Sequence, residues 1–344
     1  MSIDKKRSTL RWTGFIETLL NPALAEGFTP RKAIWKKNKA ALWYYPAPKK
    51  KYRIPIFLIY SLINQPAILD LAPNISLIEA LGKNGYDVFL LDFGIPGYED
   101  KDTGLDDYIY QYIHKGVKQA LRHSQAEAIS VMGFCLGGTI TAVYAAVANE
   151  PIKNVILSGA PIDFRIYSSF DKWGDALSQD KIEFNTLIDT IGLIPAPSME
   201  AGMRLLTSPV YFSPYLSLLN RAYDKDYRSK WSRMNSWTRG HIPLPGKVLK
   251  QILQDLVKEN NLISGKLVIN EKKVKLKNIK ANLLVVTSDS DQLVPKEQVT
   301  PIIDHVSSKD KKFWLEPGGH ANLAKKGELP NYLKNWLSKR SSPI

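Results

Sequence analysis

Cysteine is almost absent: this chain of 344 residues carries one, Cys135. A disulfide framework is thereby excluded, and so is a metal site built on cysteines; a single free thiol fits a reducing compartment. Histidine is nearly as scarce, with five residues: His114, His123, His241, His305 and His320. Long apolar runs are missing as well. The longest, Ile54 to Ile63, includes Pro55, Tyr60 and Ser61 and is too short to span a bilayer. The opening "MSIDKKRSTLRWTG" has charge but no apolar stretch behind it, so it does not read as a secretory signal. Repeats and low-complexity tracts are lacking too. A cytoplasmic protein without a transmembrane segment is expected.

What is present is an ordinary folding composition. Hydrophobic residues make up 44% and charged residues 23%, which excludes a disordered chain. The length allows one large domain, or a domain with an insertion. The formal charge of +14 invites an anionic partner. Its basic clusters, such as Lys49-Lys50-Lys51 and Lys272-Lys273, fall in expected loops and lack the interleaved aromatics of a nucleic-acid binder. A lysine-rich surface accounts for them, and no nucleic acid is expected.

Five short aliphatic runs read as buried parallel strands: Ile56–Tyr60, Val88–Leu91, Ile129–Met132, Val155–Leu157 and Leu283–Thr287. Helical patterns lie between them, over 76–85, 105–123 and 139–148. This alternation indicates an α/β fold whose mostly parallel sheet is covered on both faces. From about 165 to 261 the strand signals fade while proline, Trp, Tyr and Leu accumulate. That stretch is too long for a loop and is expected to be a largely helical insertion. The expected organisation is an N-terminal helical segment over 1–50, a core over 51–164 and 262–344, and a cap over 165–261.

The lone thiol stands at a corner of this pattern. "ISVMGFCLGGT" reads as strand, then Gly-x-Cys-x-Gly-Gly, then helix, the spacing of a nucleophile elbow with cysteine in the usual place of serine. A sharp turn there lifts the side chain above the sheet and crowds the neighbouring backbone, so Gly133 and Gly137 stand where a Cβ would clash. The following helix aims its positive end at the sulfur and offers the Leu136 N–H to an oxyanion. The plainer reading of Cys135 is a small buried hydrophobe. Its position between strand and helix favours the nucleophile.

A nucleophile needs a base. His114, His123 and His305 read as solvated helix positions. His241, in "RGHIPLPG", is a candidate substrate contact in the insertion. His320 follows the short strand and Gly-Gly turn of "WLEPGGH", near the C-terminal end, where the α/β-hydrolase order puts its histidine. The orienting acid falls after a late strand, in "LLVVTSDSDQLVP". Asp289 and Asp291 both qualify, and either one also suits a helix cap; spacing does not choose between them.

The segments "TPRKAIWKKNKAALWYY", "FLIYSLINQPAILDLAPNISLIEAL", "GYDVFLLDFGIPGYEDKDTGLDDYI", "GFCLGGT", "NNLISGKLVINEKKVKLKNIKANLLVV" and "DQLVP" occur in an order that runs along nearly the whole chain. In these segments and their order the sequence resembles the polyhydroxyalkanoate synthases, in particular the short forms that work with an accessory subunit. The resemblance implies an α/β-hydrolase fold and a triad of Cys135, His320 and Asp291, the last selected by its Asp-x-x-Val-Pro context. It implies polymerisation of (R)-3-hydroxyacyl-CoA, most often 3-hydroxybutyryl-CoA, with release of CoA and without cofactor or metal. It also implies an accessory subunit, a possible homodimer and association with polymer granules, and it suggests that Asp291 helps activate the incoming 3-hydroxyl. Four positions depart from the family pattern: Gln65 for Arg or Lys, Phe93 for Trp, Phe134 for Tyr, and Gln292 for His.

This chemistry gives the thiol a purpose. Attack on a thioester by cysteine yields another thioester, so the acyl group stays activated until a hydroxyl takes it in a downhill step. The expected oxyanion donors are the Leu136 N–H and a backbone donor near Leu62. Two rival readings share the sequence: a hydrolase of the same fold acting on acyl-CoA or polymer, and a non-catalytic granule-surface protein.

Overall fold

The computed structural model describes residues 3–23, 27–165, 184–206, 213–320 and 327–344. Its centre is an eight-stranded sheet. In chain order the strands are β1 (Lys32–Lys37), β2 (Ala40–Tyr45), β3 (Ile56–Ile59), β4 (Val88–Asp92), β5 (Ile129–Phe134), β6 (Ile152–Ser158), β7 (Asn282–Ser288) and β8 (Lys311–Glu316). They lie in the spatial order β1-β2-β4-β3-β5-β6-β7-β8. β2 runs antiparallel to both its neighbours, β1 and β4; every pairing from β4 to β8 is parallel.

The expected strands all appear, because each aliphatic run is buried on both faces. Every residue of β3 and β5 is buried, as parallel strands under two helical layers require. Two apolar clusters line the two faces of the sheet, one around Phe57, Ile113 and Val143 and the other around Leu58, Leu81 and Leu337.

Helix α1 spans Ile3–Leu20, α2 Leu77–Lys83, α3 His114–Ser124 and α4 Leu136–Val147. Ser76 caps α2 by accepting from the Glu79 N–H at 2.9 Å. The stretch expected as one helix from 105 opens instead with a π-helical turn over Asp107–Ile113, which turns Tyr108, Ile109, Tyr112 and Ile113 inward. Between 165 and 261 the described residues are largely helical, with α5 (Phe184–Ile191), α6 (Ala196–Leu206), α7 (Ser213–Arg221), α8 (Lys225–Arg239) and α9 (Gly246–Gln251). Residues 166–183 and 207–212 of that stretch lie outside the described residues. Two short helices, Lys296–Val299 and Ile302–His305, replace the single helix expected there. Pro301 between them has no N–H to give a continuous helix.

The N-terminal expectation needs correction. Residues 1–50 are helical only over Ile3–Leu20; 32–45 form the β1–β2 hairpin of the main sheet. Asn38, at a φ of 50°, makes the left-handed turn between those strands. Leu42 and Tyr45, paired with Leu91 and Val88 of β4, are buried.

Candidate active site

Cys135 sits between β5 and α4 with φ 51° and ψ −132°. A side chain rarely adopts that conformation, which costs on the order of 1–3 kcal/mol, and it persists because the surroundings over-determine it. The Cys135 N–H donates to the Ser158 carbonyl at 2.9 Å, and its own carbonyl accepts from Gly138 and Thr139. Neither flanking glycine has room for a Cβ. At Gly137 it would run into the Tyr60 carbonyl, and at Gly133 into Thr141 Oγ1 and the Gly138 backbone. The corner is thus locked from β3, β6 and α4 at once.

His320 follows β8 and meets this corner. Its Nδ1 lies 2.7 Å from Asp291 Oδ2, and Cys135 stands near enough to the ring to act on its titration. With Nδ1 engaged by the carboxylate, Nε2 is the nitrogen left for the sulfur. Gly159, at a φ of +54°, lies under the ring; a Cβ there would stand 3.2 Å from His320 Cε1. Burial alone would lower the imidazole pKa. The charge on Cys135 and the contacts with Asp291 and Cys135 outweigh it and raise the value to about 10. These contacts favour the protonated ring, against the burial that opposes it.

Asp291 is almost fully buried, its side chain 1% exposed. One oxygen accepts from the Leu293 and Val294 N–H groups at 3.0 and 2.9 Å; the other faces His320. Asp291 therefore braces the bend after β7 and does not cap the following helix, which starts at Lys296 with Pro295 before it. Asp289 does something else: its Oδ1 accepts the Gly318 N–H at 3.0 Å, anchoring the turn that leads to His320.

Leu136 is the first residue of α4, where a helix N–H has no intrahelical acceptor. Leu62 lies in the bend after β3, two residues beyond the Tyr60 carbonyl that abuts Gly137. The same bend is stitched to the 165–261 stretch. Asn64 Nδ2 donates to the Trp237 carbonyl at 2.9 Å, Trp237 Nε1 to the Gln65 carbonyl at 3.0 Å, and the Ile242 N–H to the Ile63 carbonyl at 3.3 Å. His241 pairs by backbone with Asn64, and its buried Nδ1 has no hydrogen-bond partner among the described residues. Burial lowers its pKa, against an opposing push from Glu200.

The other histidines stand apart. His305 bonds the Pro301 carbonyl on the surface. His123 is exposed and edge-on to Tyr44. His114 is not the solvated residue its helix position suggests: its Nδ1 lies 2.9 Å from Glu150, a carboxylate only 4% exposed. That partner is distant in sequence, so helical periodicity gave no sign of it. The sequence also gave no sign of Asp289's role or of the Asn64–Trp237 stitching. Among the described residues no cluster of metal-ligating side chains occurs, and no helix is long and apolar enough to cross a membrane.

A strand–Cys–helix corner, a late histidine and a buried aspartate on a mostly parallel sheet define an α/β-hydrolase-type site. A family profile described as "alpha/beta hydrolase fold" matches residues 55–191. The soluble variant of monoglyceride lipase from Saccharomyces cerevisiae superposes with a TM-score of 0.54 at 18% identity, covering 92% of this chain and 96% of that one. The chain has the α/β-hydrolase fold. Within it the relatives are narrower. The poly(3-hydroxyalkanoate) polymerase subunit PhaC of Haloferax mediterranei is 31% identical over 92% of this chain. The corresponding subunits of Synechocystis sp. and Thiocystis violacea are 28% and 26% identical over 91% and 95% of it. This chain is a homologue of those PhaC subunits. It spans 65% of the Haloferax protein's length, 85% of the Synechocystis protein's and 93% of the Thiocystis protein's.

Proposed function

We propose that this chain is the catalytic subunit of a polyhydroxyalkanoate synthase, transferring (R)-3-hydroxyacyl groups, foremost 3-hydroxybutyryl, from coenzyme A to a growing polyester. Cys135 is the nucleophile, His320 the acid–base and Asp291 its orienting partner. The observation that carries the reading is the 2.7 Å bond from Asp291 Oδ2 to His320 Nδ1, with Cys135 beside the same ring.

In the first step the sulfur of Cys135 passes its proton to His320 and attacks the carbonyl carbon of the acyl-CoA. A carbon–sulfur bond forms and the carbonyl electron pair moves to oxygen. The Leu136 N–H and a backbone N–H near Leu62 hold that oxyanion; losing one such donor costs about 2.7–4 kcal/mol of barrier. Collapse breaks the bond to CoA, whose sulfur takes the proton from His320. In the second step His320 accepts the proton of a 3-hydroxyl, the oxygen attacks the acyl-enzyme, and Cys135 leaves as thiolate. A thioester becomes an oxygen ester, which drives the chain forward. Both Asp291 oxygens are engaged, one by two backbone N–H groups and one by His320, so the carboxylate acts through the imidazole.

Water competes for the acyl-enzyme, so the site must be dry. We assign that task to residues 165–261 as a cap, joined to the oxyanion bend through Trp237 and Ile242. The partners that go with this activity are an accessory subunit, a second copy of the chain and the surface of the polymer granule. The test is incubation with (R)-3-hydroxybutyryl-CoA, with and without an accessory subunit. CoA release with insoluble polyester is expected from the wild type and neither from Cys135→Ala. Soluble 3-hydroxybutyrate as the sole product contradicts the polymerase reading and supports hydrolysis.

A further inference from the structure

A cavity of about 160 Å³ opens between the bend after β3 and the loop after β4. Tyr60, Ser61 and Leu62 form one wall, Asp92 and Phe93 another, and Tyr108 reaches it from the π-helical turn. The first wall is the chain segment that abuts the nucleophile corner at Gly137. Tyr60 is close enough to Cys135 that charge on the sulfur helps hold its phenol protonated, after burial itself. Tyr60 thus joins the cavity to the nucleophile corner, and Leu62, the expected oxyanion donor, lies in the same wall.

Most of the lining is apolar or already hydrogen-bonded. Asn64, at the rim, donates from Nδ2 to the Trp237 carbonyl and accepts the Gln65 N–H at Oδ1. Asp92 accepts the Gly94 N–H. Ser61 is different: it is 6% exposed, and its hydroxyl has no hydrogen-bond partner among the described residues. An unpaired hydroxyl sealed in a protein costs free energy that a ligand bond would recover. A cavity this size holds several waters' worth of volume, room for a short acyl chain bearing one polar group. Phe93, edge-on to Tyr108 at 5.0 Å, closes the far side with rings and favours a short chain.

We propose that Ser61 is a specificity-determining residue whose hydroxyl, in this cavity, hydrogen-bonds the 3-hydroxyl of the acyl group carried by Cys135. The assignment rests on the acyl-transfer reading above and deepens it. It makes the site select 3-hydroxyacyl over plain acyl thioesters, because the plain chain leaves the Ser61 hydroxyl buried and unpaired.

The experiment removes the hydroxyl from each side in turn. Wild type and Ser61→Ala are mixed with (R)-3-hydroxybutyryl-CoA or butyryl-CoA, quenched at short times, and the acyl-enzyme is read by intact-protein mass. The wild type is expected to prefer the hydroxylated substrate by about tenfold, the size of one neutral hydrogen bond. Ser61→Ala should lose that preference while acylation by butyryl-CoA changes less than about twofold. Equal losses on both substrates, or a preference unchanged by the substitution, overturn the assignment and leave the acyl-transfer reading standing. If Ser61→Ala fails to fold, equal wild-type rates on the two substrates overturn it, and the tenfold preference supports it. A wild type acylated by neither thioester overturns the acyl-transfer reading and this assignment with it.

Discussion

Two regions deliver the two halves of the chemistry, and they are built in different ways. Cys135 follows β5, an interior strand with every residue buried, and is pinned by backbone contacts from three elements. His320 follows β8, the edge strand, where Trp314 and Leu315 are 39% and 41% exposed. Packing and strain place the nucleophile; a handful of side-chain hydrogen bonds place the base. Substitutions at the corner should therefore damage the fold, and substitutions around His320 should damage the chemistry while the fold survives.

The largest effects are expected at the corner. Gly137→Ala drives a Cβ into the Tyr60 carbonyl, backbone on both sides, and should cost about 3 kcal/mol or more of stability in urea unfolding. Cys135→Gly should go the other way. It relieves the positive φ and should raise stability by roughly 1 kcal/mol, read by the same unfolding curve, while abolishing acylation.

Around His320 the expected ordering reverses. Asp291→Asn keeps an acceptor for the Leu293 and Val294 N–H groups but loses the carboxylate that holds the imidazole, so kcat should fall by about two to four orders of magnitude in a protein that still folds. The same variant separates the pH profiles. Folding raises the His320 pKa from 6.5 to about 10, so the stability it contributes is complete below 6.5 and is lost as the pH rises through 10. Activity that needs the imidazolium to protonate departing CoA should fade over that alkaline range. In Asp291→Asn both the stability loss and the alkaline limb should begin at lower pH, because a partner that raised the pKa is gone. Asp289→Ala loosens only the turn at Gly318 and should lower kcat/KM by about fivefold, a cost of about 1 kcal/mol. The smallest effect belongs to His305→Ala on the surface, expected within about 0.5 kcal/mol in unfolding and with no change in CoA release.

The same contrast explains what the sequence could tell. The corner is legible because its constraints are local: a buried aliphatic strand, glycines at fixed offsets and a helix start all lie within a dozen residues. The strands from β3 to β7 are legible for the same reason, each being a continuous apolar run. The β1–β2 hairpin is not, since "KAIWKKNKAALWYY" mixes lysines and alanines in a way that suits a helix until β4 supplies a pairing edge. Spacing left Asp291 and Asp289 open, because both stand after the same strand; the resemblance chose Asp291 by its Asp-x-x-Val-Pro context, and the structure pairs Asp291 with His320 and Asp289 with Gly318. The pairing of His114 with Glu150 and the unpaired hydroxyl of Ser61 depend on distant segments meeting, so one-dimensional pattern carries no trace of them.

Peptide mapping of protein quenched during turnover with (R)-3-hydroxybutyryl-CoA tests the central claim most directly. One 3-hydroxybutyryl group should appear on the peptide containing Cys135, as a thioester that an added hydroxyl acceptor discharges. An adduct on any other residue, or undiminished CoA release by Cys135→Ala, contradicts the account.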